Sequence, residues 1–186
     1  MLSNVTKEYL CEFNRILDEM IKGMTETQLS DSISHNFIVQ MIPHHQAAID
    51  MSRNILKYTT NIPLQNIASQ IISEQTQSIA NMREIECSCS EIQNCERDVC
   101  LYQRKVDQIL NTMFTGMNNA CSTNRVDCNF MREMIPHHKG AVALSQNALQ
   151  YDICPGLHPI LHAIITSQQR GICQMQNLLK CLGCRQ

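Results

Sequence analysis

A chain of 186 residues with a formal net charge of −2 is long enough to bury the core of one domain. Its Lys and Arg are scattered, which excludes the basic footprint of a nucleic-acid binder, and no apolar run approaches the ~20 residues of a membrane span. Aromatics make up 4% and Trp is absent, so Ile, Leu, Met and Ala must fill the core, a composition that suits packed helices.

The first helix is expected from about Thr6 to Met24. Leu10, Phe13, Leu17, Met20 and Met24 recur at three- and four-residue steps, and Gly23 with the polar run after it marks the end. A second helix starts at Asp31, Ser32 or Ser34 and runs to about Tyr58. Its stripe is Phe37, Met41, His44, Ala48, Met51 and Ile55. Pro43 lies inside it, and because the period continues across the proline, a kink is expected rather than a break. Thr59-Thr60-Asn61 is a turn. Pro63 then sits in the first turn of a third helix, where its missing donor costs nothing. That helix carries Ile67, Ile71, Gln75, Ile79 and Met82, and a polar, cysteine-rich connection from Cys87 to Cys95 follows.

The pattern then restarts without a gap at an offset of 93 residues. Met41-Ile42-Pro43-His44-His45 returns as Met134-Ile135-Pro136-His137-His138, and 12 of 25 positions are identical between Ser34–Tyr58 and Asp127–Tyr151. The period is too long, and the copies too few, for a solenoid. Residues 1–186 are therefore expected to form a single domain, with one repeat over about 1–93 and the other over about 94–186. The predicted class is all-α: an antiparallel helical bundle built by duplication of a three-helix unit, with the first helix of each copy alongside.

The duplication compares the chain with itself. Ordinary core positions drift: Ile49 is Val142, Met51 is Leu144 and Ile85 is Leu178. Four methionine pairs do not: Met20/Met113, Met24/Met117, Met41/Met134 and Met82/Met175. Met is a flexible core filler, but where Leu and Ile exchange freely, retained sulfur points to a use for sulfur. If helices two and three fold back near Thr60, His44 and His45 face the region of Gln75 to Ile79. Met41 then lies near Met82, to within about one turn. Thioether and imidazole form a soft-to-borderline ligand set that favours Cu(I) and Ag(I) over Mg, Ca or Mn. The expected metal ligands are Met41, His44, His45 and Met82 in one half, with Met134, His137, His138 and Met175 in the other. Secondary candidates are Met20, Met24, Met51, Met113 and Met117. Neutral imidazole is needed, so binding is expected to weaken below the ordinary histidine pKa of ~6.5.

None of the 11 cysteines recurs at the offset. Cys87, Cys89, Cys181 and Cys184 are therefore expected outside the bundle core, near helix ends, and replaceable by Ser with little change in stability. They read as soft-metal ligands, with Zn possible, or as disulfides. The N-terminus lacks a basic region followed by an apolar stretch. That points to the cytoplasm, with an extracytoplasmic or spore-associated site left open.

The block Phe37-x-x-x-Met41-Ile42-Pro43-His44-His45-x-x-Ala48-Ile49-x-Met51, with Gln75 and Met82 downstream, resembles the bacterial family known as domain of unknown function 305, which includes CopM-like copper-binding proteins. The resemblance spans almost the whole chain. It implies a ferritin-like helical fold and Cu(I)/Ag(I) binding through Met and His, often in copper tolerance. The family often carries Asp three residues before the Phe, kept here as Asp127 but replaced by Ser34 in the first copy, and Glu three residues after the Gln, where Ser78 and Gly171 stand.

The leading reading is a non-catalytic protein that buffers or sequesters Cu(I) or Ag(I), with metal ions as its partners and a homo-oligomer left open. The alternative is a cysteine-rich structural or assembly protein in which Met and His are packing. A di-iron oxidase of ferritin type ranks lower, because that chemistry needs Glu-x-x-His pairs and the chain has none.

Overall fold

The computed structural model describes residues 1–184. Six α-helices and no strand occur among them: α1 (Asn4–Thr25), α2 (Ile33–Ile55), α3 (Ile62–Ser90), α4 (Glu96–Asn118), α5 (Val126–Ala148) and α6 (Leu157–Cys181). Local chemistry sets the starts in the first half. Ser3, Ser32 and Asn61 accept from the backbone N–H three residues on, satisfying donors that a helix leaves open at its N-terminus. Two of the expected boundaries shift. Tyr58 lies past the end of α2. α3 runs through Cys87 and Cys89 to Ser90, so the connection to α4 is shorter than the cysteine-rich stretch suggested. Gly23 lies within α1 and does not end it.

α2, α3, α5 and α6 pack as a four-helix core: α2 on α3, α5 on α6, and the two pairs joined through α2–α5 and α3–α6. α1 lies on α2 and α4 on α5, the arrangement expected for the first helix of each copy. Contacts recur at the 93-residue offset. Asn54 donates to the Tyr9 carbonyl at 3.1 Å, and Asn147 to the Tyr102 carbonyl at 3.2 Å. Tyr9 meets Tyr58 edge-on, as Tyr102 meets Tyr151. Asn36 and Asn129 each clasp the backbone six residues earlier, at Ser30 and Thr123.

Gly23 and Gly116 bring the outer helices onto the internal prolines. A Cβ on Gly23 would lie 2.7 Å from Pro43 Cβ, and one on Gly116 3.0 Å from Pro136 Cβ. Both helices continue through their prolines, and the pyrrolidine rings are packing surfaces for α1 and α4.

The cysteines depart from expectation. Cys89 and Cys184 are buried, in the disulfides Cys89–Cys154 and Cys128–Cys184. Cys87 and Cys89 are two residues apart on a helix, about 200° round its axis, so Cys87 faces solvent while Cys89 faces inward. Cys181-x-x-Cys184 is divided by a helix end. Gly183 adopts φ +64°, its N–H bonds the Lys180 carbonyl, and the Cys184 N–H bonds the Leu179 carbonyl. That pairing is a left-handed glycine stop; it turns Cys184 in to Cys128 and leaves Cys181 exposed. With Cys89 and Cys184 in disulfides and Cys87 and Cys181 turned to solvent, neither close pair forms the Zn site expected of them.

Candidate metal centre

The two Pro-His-His segments meet where α2 and α5 pack. His44 and His137 stack, with ring centroids 3.7 Å apart and planes at 27°. His45 lies 5.8 Å from His44, and His138 lies 5.9 Å from His137. The four imidazoles thus form one row across the interface between the halves, all of them buried. Spacing within each repeat showed Met and His on one face. It carried no information on how the halves dock, so the meeting of the two sets was not visible in it.

A buried imidazole normally has both nitrogens paired. Here neither nitrogen of His44 has a hydrogen-bond partner, nor does Nδ1 of His45, His137 or His138. His137 Nε2 lies 3.1 Å from the His44 carbonyl. A carbonyl can only accept, so Nε2 carries the proton and Nδ1 keeps a free lone pair. His45 Nε2 pairs with the Ser78 hydroxyl at 3.1 Å. The His138 ring lies against Gly171, where a Cβ would come within 2.9 Å of it. Ser78 and Gly171, equivalent positions of the two copies, are therefore the ones that touch the outer histidines.

Burial holds all four rings neutral. It depresses His44, helped by the charges His137, His45 and His138 would carry. It takes His45 to about 3, with His137 adding to the shift, and His137 to about 4 against the pull of the His44 carbonyl. His138 is lowered in the same way. Neutral rings with unpaired nitrogens are the form that binds metal.

The hairpin register follows from the His45–Ser78 contact. Met41 is four residues before His45 and Met82 four after Ser78, so in antiparallel helices they lie at one level. The Gly171–His138 contact does the same for Met134 and Met175. All four sulfurs are buried, as are Met20, Met24, Met51, Met113 and Met117. Met113 Sδ packs against Gly140, 2.2 Å from where a Cβ would stand. Among the described residues no three His, Cys, Asp or Glu converge on a point that could hold an ion. A centre here needs thioether sulfur beside imidazole.

One ionisable side chain lies close to the row without belonging to it. Glu133, one turn before His137, accepts from the Tyr9 hydroxyl at 2.5 Å across the halves. Burial raises its carboxyl to about 7, with the Tyr9 hydrogen bond opposing, while burial and then Glu133 raise the Tyr9 phenol. Its counterpart Gln40 donates to the Met24 carbonyl at 3.1 Å. The Gln40/Glu133 difference was visible in the sequence; the partner 124 residues away was not.

A family model described as domain of unknown function DUF305 matches residues 14–87 and again 88–179. Among solved structures, CopM in the Cu(I)-bound form is 26% identical, with a TM-score of 0.60 over 83% of this chain and 99% of that one. CopM in the Ag-bound form obtained by soaking is 26% identical, with a TM-score of 0.60 over 83% and 97%. CopM in the Cu(II)-bound form is 25% identical, with a TM-score of 0.60 over 80% and 97%. No curated protein matches the chain.

Proposed function

The chain belongs to the DUF305 family, and from that premise we propose that it binds Cu(I) or Ag(I) and buffers or sequesters the ion. The observation that carries this reading is the row of four buried, neutral histidines with unpaired nitrogens. A core that needed only packing would lose about 1–3 kcal/mol for each orphaned polar group. The CopM structures with copper and silver supply the ion class. We assign the main ligands to Met41, His44, His45, Met82, Met134, His137, His138 and Met175, with Met20, Met24, Met51, Met113 and Met117 in support. Two closed disulfides suit an oxidising compartment better than a reducing cytosol, and the location is part of the proposal.

The test is a competition titration against a chromophoric Cu(I) chelator. It compares wild type, H44A/H45A, H137A/H138A and a variant with the seven exposed cysteines replaced by Ser. The reading expects the Ser variant to keep wild-type affinity and each double-histidine variant to lose about tenfold or more. Binding that vanishes with the thiols and ignores the histidines would refute it.

A second reading is favoured by one observation: seven cysteines are free and exposed. A covalently assembled scaffold would give ladders on a non-reducing gel after mild oxidation, lost in the same Ser variant, with metal affinity untouched.

A further inference from the structure

A groove of about 690 Å³ runs between α3 and α6, and His45 lies on its lining. His138 does not line it, so the groove approaches the histidine row from one end. Gln75 and Gln168, equivalent residues of the two halves, also line it, each 2% exposed. Both side-chain polar atoms of Gln75 and the amide oxygen of Gln168 lack a hydrogen-bond partner. Two apolar residues would serve this helix contact better, since buried amides left unpaired are costly. Ser78 lines the groove as well, its hydroxyl on His45 Nε2. Above, Arg170 of α6 pairs with Glu74 of α3 across the two groove walls, cancelling the charge there.

We infer that this groove is the path by which the ion reaches the buried row, with the Gln75 and Gln168 amides as a transit site for the incoming cation. The inference rests on the metal-binding reading above. Its chemistry is a gradient of softness. An amide oxygen is a neutral, hard donor, able to replace water on a passing cation but a poor final ligand for Cu(I) or Ag(I). Imidazole and thioether are softer donors than an amide, so the ion is drawn on to the row and not held at the mouth. His45 has no solvent exposure, and the Ser78 hydroxyl holds its Nε2, so that hydrogen bond must break before this nitrogen can take an ion from the groove.

A transit site changes rates and leaves the end point alone. Stopped-flow transfer of Cu(I) from a chromophoric chelator is to be measured on wild type, Q75L/Q168L and A163W/T166W, alongside equilibrium competition. Ala163 and Thr166 are exposed groove residues, so the tryptophans block the path from outside without entering the core. Both variants are expected to load and release about tenfold more slowly, with an unchanged equilibrium constant. Unchanged rates in the tryptophan variant would overturn the path. Slowing by the tryptophans with weaker equilibrium binding in Q75L/Q168L would overturn the transit role and make the amides ligands. Failure of wild type to bind Cu(I) at all would sink the proposed function itself, a result distinct from either.

Discussion

At the scale of single residues, neutrality of the histidines sets the acid behaviour. Titration in solution would place the loss of binding near pH 6.5; burial moves it down toward the values of about 3 and about 4 held by His45 and His137. Cu(I) affinity at pH 5 is therefore expected to match that at pH 7, as read by chelator competition at both. Stability of the metal-free protein behaves otherwise. A folded-state pKa below the unfolded value means the unfolded chain takes up protons first, so stability present above ~6.5 is lost as pH falls through the folded values. Glu133 has the opposite sign. Its folded value of about 7 lies above the unfolded one, so its contribution is full below ~4.5 and lost as pH rises through about 7. Urea midpoints of metal-free E133Q should fall less than those of wild type between pH 5 and 8, and the two should share the same acid limb. That the two copies keep the same Met and His was legible in the sequence. The shifts were not, because they depend on how deeply the docked halves bury each ring.

Among the elements, the closest fit is helix against proline. A Gly to Ala change inside a helix ordinarily gains about 0.5–1 kcal/mol. Gly23→Ala is expected to lose about 1–3 kcal/mol instead, because its Cβ would collide with the rigid ring of Pro43. Gly116→Ala, with slightly more room, should lose less, and urea denaturation measures both. Helix existence and period were legible from the stripes, and so were the Pro63 start and the Ser32 cap among its neighbours. The end of α3 was not: Cys87-Ser88-Cys89-Ser90 is polar enough to read as loop, yet buried Cys89 and its disulfide hold the last turn in place. Gly23 misled for a related reason. A glycine near a helix end reads as a stop, and only the neighbouring helix shows that it is a contact.

For the whole molecule, the disulfides divide by reach. Cys89–Cys154 joins the two repeats, while Cys128–Cys184 closes the second upon itself. The chain-entropy estimate for loops of 65 and 56 residues is about 4 kcal/mol each. Against the expectation that these cysteines are dispensable, C89S/C154S should lower the unfolding free energy by about 2–4 kcal/mol and loosen the histidine row that both halves build. Calorimetry of the metal-free variant checks the first effect, and hydrogen exchange at α2 and α5 the second. The 93-residue offset was legible in the sequence. The staple was not, because no cysteine has a cysteine counterpart and connectivity cannot be deduced from spacing.

That bridge makes a closed covalent ring of the backbone from Cys89 to Cys154, and the linker before α4 lies on the ring. Glu91 and Gln93 are exposed, so a protease can cut there without dividing the molecule. The severed protein should run as one species until a reductant is added and then as two fragments of nearly equal size. With the ring opened but the bridge intact, the two halves become, in effect, a heterodimer whose one covalent link is a sulfur–sulfur bond.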